Sequence, residues 1–230
     1  MNKKPLVKVY SHPRSGTHFL EAFLAKNFYQ KNNLSIDQIV WGHWSNRLVK
    51  EEGNPYGKLF GNHYFGYEND NDASKIYIYR DGRAVAYSIW KTPNFIHEKD
   101  ADLSFNEFLN YKLDWSGSPA RRTEREHTVF EHWVEHVNSW KELLLSDPNL
   151  LIIRYEDLVD KPYEVYEKIH FKFFKKHPKL EPDQIDAIKK PLGLMPNKGL
   201  KSAWVNEIDE THISAYKKLL LENSLQYGNE

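Results

Sequence analysis

The 230-residue chain has no cysteine, which excludes disulfides, thiolate metal sites and cysteine nucleophiles and removes any case for an oxidising compartment. Long apolar runs are missing as well, none approaching the roughly 18 residues that a membrane span needs. Strand-like residues begin near Pro5, leaving no room for a signal peptide, so the chain reads as soluble and cytoplasmic. Net charge is also absent, because 32 Lys and Arg balance 32 Asp and Glu. Without a bulk field there is nothing to gather nucleic acid or an anionic membrane, and any anion site must be local.

Aromatic residues are plentiful, with 7 Trp, 14 Tyr and 12 Phe. Most are expected in the core, the remainder being available to line an apolar pocket. The length suits one α/β domain spanning residues 1–230, which would bury roughly 70% of its unfolded surface. Strand-like segments at 6–11, 38–42, 58–63, 75–80 and 149–154 are interleaved with helical patterns near 16–31, 82–91, 104–112, 127–146, 162–176 and 209–223. This alternation predicts a central parallel sheet between helices, a three-layer α/β/α fold of the P-loop-NTPase-like kind. In the longest predicted helix Phe130, Trp133, Val134, Val137, Trp140 and Leu144 form one apolar stripe before Asp147-Pro148 stops it. Residues 91–126 are polar, with Pro93, Gly117, Pro119 and the charge run Arg121-Arg122-Thr-Glu-Arg125. They read equally as a lid or acceptor-side insertion and as a solvated surface loop with a short helix.

The chemistry starts at residues 6–18, Leu-Val-Lys-Val-Tyr-Ser-His-Pro-Arg-Ser-Gly-Thr-His. Val7 and Val9 alternate as in a strand, Gly16 permits an unusual backbone angle, and Phe19, Leu20, Phe23 and Leu24 recur at helical spacing. Free amides at the helix start, together with Arg14, would surround a phosphate or sulfate. Read alone, the same Ser, Gly and Thr serve equally as turn and cap residues. The Walker pattern does not occur, since position 14 is Arg and no Lys follows Gly16, which disfavours a mononucleotide kinase.

A second segment, Lys75-Ile-Tyr-Ile-Tyr-Arg-Asp-Gly-Arg-Ala-Val-Ala-Tyr-Ser88, predicts a strand ending at Arg80 and a helix carrying Ser88. In isolation Arg80 could pair with Asp81, and Ser88 could bond back to its own helix. Two further blocks occur in order, Leu-Leu-Ile-Ile-Arg-Tyr-Glu-Asp-Leu at 150–158 and Asn197-Lys198-Gly199 followed by Trp204. With the helix from His132 to Trp140, these blocks make the chain resemble the sulfotransferases that use 3′-phosphoadenosine-5′-phosphosulfate (PAPS) and release adenosine 3′,5′-bisphosphate (PAP). The resemblance covers nearly the whole chain apart from 91–126.

The resemblance implies that Arg14, Ser15, Gly16, Thr17 and His18 contact the 5′-phosphosulfate, and that Arg80, Ser88, Lys198 and Gly199 hold the 3′-phosphate. It puts Phe19 and Tyr155 beside the adenine. Three departures stand out: Asn197 replaces an Arg, His18 a second Thr, and Arg14 a Lys. PAPS is then the co-substrate with no metal required, and the acceptor is a small molecule with a hydroxyl or amine. Neither nucleic acid nor membrane is expected as a partner, and a homodimer is compatible with the sequence.

Arg14 is expected to face the leaving phosphate and His63 to act as base toward the acceptor. The family's Lys-x-His pattern is broken here by Gly61. His63 could instead be a core histidine, Glu68 or Asp70 could serve as the base, and His43 lies between two Trp. His132 and His136 stand four apart, a spacing that can bind zinc, but no third ligand is evident. Two other functions stay open: a non-catalytic nucleotide-binding protein, and a P-loop phosphotransferase with Asp81 as a magnesium ligand.

Overall fold

The computed structural model describes residues 4–29, 59, 61–69, 72–92, 102–113, 127–186 and 202–225. Three parallel strands, β1 (Val7–Ser11), β2 (Ser74–Tyr79) and β3 (Leu150–Arg154), lie in the order β1-β2-β3, with Val9 opposite Ile76 and Ile76 opposite Leu151. Leu59 and Gly61 extend the pairing on the outer edge of β1: the Val9 N–H donates to the Leu59 carbonyl and the Gly61 N–H to the Val9 carbonyl. This is the hydrogen-bond pattern of a parallel neighbour, and it falls within the strand expected at 58–63. The strand expected at 38–42 and His43 lie outside the described residues.

Among the described residues seven α-helices accompany the strands: α1 (Thr17–Asn27), α2 (Gly82–Trp90), α3 (Phe105–Asn110), α4 (Val129–Leu144), α5 (Tyr155–Asp160), α6 (Pro162–Ile169) and α7 (Glu210–Glu222). The alternating side chains of each strand divide the interior in two. Val7, Val9, Ile76, Ile78 and Ile153 pack with α1, α5 and α6 on one face. Tyr10 and Tyr77 pack with α2, α3, α4 and α7 on the other. The result is the expected three-layer α/β/α arrangement, with Tyr77 stacked on Trp140 at a centroid distance of 4.8 Å.

The long helix α4 begins at a reciprocal cap, in which Thr128 Oγ1 accepts from the Glu131 N–H and Glu131 accepts from the Thr128 N–H. Of its predicted apolar stripe, Leu144 is exposed, because it sits in the last turn where the helix leaves the core. The segment expected as one helix over 162–176 divides instead into α6 and a π-turn at His170–Phe174. Tyr-Glu-Asp-Leu at 155–158 opens α5 directly after β3.

Candidate functional site

At the carboxyl ends of the strands the chain between β1 and α1 turns through two left-handed residues, Arg14 (φ 67°) and Gly16 (φ 96°). Gly16 is the N-cap of α1 and supplies no side-chain hydrogen bond, so the first-turn amides keep the partial positive charge of a helix start. A Cβ at Gly16 would lie 2.4 Å from Tyr155 Cδ2, so both angle and space demand glycine. Ser15 is fully buried, and its hydroxyl has no hydrogen-bond partner among the described residues. Buried hydroxyls are normally paired, and a donor left so beside a helix N-terminus fits an anionic ligand.

Arg14 crosses to α2, where its Nε donates to Ser88 Oγ at 2.9 Å. Burial lowers the Arg14 guanidinium pKa, and the positive charge of Arg80 lowers it further. Arg80 is buried just beyond β2, with its guanidinium 4.9 Å from the centre of the Tyr155 ring. Phe19 meets the same ring edge-on at 5.5 Å. Arg14, Ser15, Gly16, Phe19, Arg80, Ser88 and Tyr155 therefore form one continuous patch, assembled from three strand ends and two helix starts. Two like charges brought together by burial suit an anion with charge to neutralise both.

Several of the singled-out side chains have partners within the fold. Asp81 does not pair with Arg80: it accepts from the Arg83 N–H at 2.8 Å to cap α2, and it also binds the Arg83 guanidinium at 2.8 Å. Both of its carboxylate oxygens are thus engaged by Arg83. Ser88 Oγ accepts from Arg14 rather than only bonding within its helix. His18 turns its Nδ1 to Glu21 Oε2 at 3.0 Å, while Thr17 Oγ1 lies 2.6 Å from Ser11 Oγ. Glu68 caps the turn Gly66–Glu68 by accepting from the Phe65 N–H. Asp70, Asn197, Lys198, Gly199 and the Arg121–Arg125 run lie outside the described residues, as does most of 91–126. Beyond Gly199, Trp204 is held by Arg83, whose guanidinium lies 4.1 Å from the indole centre.

His63 sits below the loop, buried at 4% exposure. Its Nδ1–H donates to the Ser11 carbonyl at 2.7 Å, which makes Nε2 the basic nitrogen. Burial lowers its pKa to about 4, against the opposing effect of the Ser11 bond and with a further lowering from His18. Helix α4 supports this segment from behind: His136 Nε2 donates to the His63 carbonyl at 3.1 Å and Trp140 Nε1 to the Tyr64 carbonyl at 3.0 Å. A Cβ at Gly61 would be 2.5 Å from the Tyr10 ring, which explains why no lysine occupies that position.

Two positions with no role assigned from sequence support the patch. Glu156 Oε1 accepts from the Asp81 N–H at 3.2 Å, tying α5 to the turn that carries Arg80. His12 Nδ1 donates to the Pro13 carbonyl at 2.9 Å, and its Nε2 faces His132 Nδ1 at 3.0 Å. His136 Nδ1 accepts from the Tyr77 hydroxyl at 2.8 Å. His132 and His136 are thus engaged with other groups, and no cluster of three or more His, Asp or Glu among the described residues is arranged to hold a metal.

Fold and patch together form an α/β scaffold with a cationic pocket at a helix start, suited to an anionic group. The sulfotransferase domain model matches residues 62–222, and the chain belongs to the sulfotransferase family. An amine sulfotransferase of Oryctolagus cuniculus is 24% identical over 222 residues, covering 90% of this chain and 69% of the relative. Among solved structures, a mouse sulfotransferase complexed with PAP superposes with a TM-score of 0.54 at 16% identity, covering 97% of this chain and 84% of the other. Retinol dehydratase in complex with androsterone and inactive cofactor PAP gives 0.56 at 17%, covering 100% and 85%. Among the described residues no helix is long and apolar enough to cross a membrane.

Proposed function

We propose that this protein moves a sulfuryl group from PAPS to a hydroxyl or amine of a small acceptor. PAP in the related structures and the amine acceptor class in the name of the rabbit relative support this reading. The observation that carries it is the convergence of Arg14, Arg80 and Ser88 beside the Gly16 helix start. In this reading the loop 14–18 holds the 5′-phosphosulfate, and Arg80 and Ser88, with Lys198 and Gly199, hold the 3′-phosphate. The ring faces of Phe19 and Tyr155 receive the adenine.

The transfer is an in-line displacement. The acceptor oxygen or nitrogen forms a bond to sulfur as the bond from sulfur to the 5′-phosphate oxygen breaks, and the acceptor proton passes to His63 Nε2. Charge developing on the leaving phosphate is met by Arg14 and the loop amides. At pH 7 the His63 ring is neutral, with Nε2 unprotonated; its pKa of about 4 makes it a weak base before substrate binds.

The test is thermal denaturation with PAP. At about 100 Kd of ligand the fold gains about 2.7 kcal/mol, a rise of several degrees in Tm that Arg80→Ala abolishes. No shift at millimolar PAP overturns the reading. Transfer of labelled sulfuryl groups to a panel of alcohols and amines then separates an enzyme from a nucleotide-binding protein, and His63→Ala should slow it by roughly 10²–10⁴ while the PAP shift persists.

A further inference from the structure

The histidine pair beneath the donor loop has no part in the transfer as described. Both rings are fully buried, 120 residues apart in sequence, and joined by a 3.0 Å bond. His12 Nδ1–H donates to the Pro13 carbonyl at 2.9 Å, so His12 Nε2 is an acceptor and His132 Nδ1–H its donor. Each ring thereby sets the tautomer of the next. Neighbouring groups are compatible with neutral rings: His136 lies 5.2 Å from His12 and 6.2 Å from His132 between ring centres, and Phe65 lies 5.3 Å from His132. Burial and the proximity of His63 hold the His12 pKa down to about 3.

We propose that His12 and His132 are positioning residues for the donor loop, acting through the Pro13–Arg14 peptide. A trans peptide is planar, with its carbonyl and N–H pointing in opposite directions. Holding the Pro13 carbonyl against His12 directs the Arg14 N–H to the far side, toward the anion. It also stabilises Arg14 at φ 67°, a backbone region that non-glycine residues seldom occupy. With its backbone fixed there, the Arg14 side chain reaches Ser88. His12 and His132 touch neither donor nor acceptor in this role.

The inference rests on the PAPS reading, and the experiment keeps the two apart. Binding of PAP is measured by calorimetry for wild type, His12→Phe, His12→Asn, His12→Gln and His132→Phe, with folding checked by circular dichroism and steady-state constants determined for both substrates. If wild type binds no PAP, the PAPS reading fails. If wild type binds, His12→Phe should bind PAP about tenfold or more weakly and raise the donor KM with little change in the acceptor KM. His12→Asn, whose amide occupies the Nδ1 position, should restore affinity to within about threefold. His132→Phe should weaken binding by a smaller factor. A folded His12→Phe with wild-type affinity overturns the inference. Should His12→Phe not fold, the Asn and Gln variants decide: the Gln amide reaches toward Nε2 and loses the Pro13 bond, so equal PAP affinities would overturn it.

Discussion

Arg14 and Gly16 share a loop, but their left-handed angles have different origins. At Gly16 the angle comes at no steric cost, and the missing Cβ makes room for Tyr155. At Arg14 a side chain is carried into the same backbone region, from which it bonds Ser88. Gly16→Ala should therefore introduce about 1–2 kcal/mol of backbone strain and push the Tyr155 ring aside. The expected outcome is a lower Tm and a loss of the PAP-induced stabilisation, both read from melts with and without ligand. Arg14, Gly16 and Arg80 were legible from short motifs because loop, strand end and helix start are contiguous there. His12 was not, since its partner is on α4 and only the folded chain brings His132 to it.

Helices α1, α2, α4 and α7 were each expected from the sequence, α1 and α4 by their apolar periodicity, with ends differing by up to four residues. Helix α5 was not, because six residues are too few to show a period and Arg-Tyr-Glu-Asp continues an apolar strand without a break. Its Glu156 is what joins it to the Arg80 turn. At the other end of the sheet, Lys75 on β2 is fully buried and bonded to Asp147 after α4 at 2.6 Å. Breaking a buried pair leaves a charge without compensation, so Asp147→Ala should cost about 3–5 kcal/mol. Because this pair stands at the amino end of β2, PAP affinity of the folded variant should equal wild type. Chemical denaturation and calorimetry check the two halves of this prediction separately.

Across the whole molecule, burial keeps His12 neutral down to about pH 3, His63 to about pH 4 and His136 well below its ordinary value. In the unfolded chain the same rings take up protons near pH 6.5. From there down to pH 4 the unfolded state binds more protons than the folded one, so stability is full above pH 6.5 and falls as the pH drops. Each ring contributes a slope of up to about 1.4 kcal/mol per pH unit. Denaturant titrations from pH 7 to 4 should show this decline, and replacing His12 by Asn should make it shallower. The layered fold itself was legible from the alternation of strands and helices, whereas this acid response was not: composition counts 11 His but does not say which are buried.

One helix supports both segments to which the proposal gives a part in the transfer. Helix α4 reaches the donor loop through His132 and the His63 segment through His136, a single turn further on. In the proposed reading, donor and acceptor would bear on the same helix from neighbouring points. Thermodynamic linkage makes any resulting coupling reciprocal: the factor by which bound donor changes acceptor affinity is the factor by which bound acceptor changes the hold on the donor.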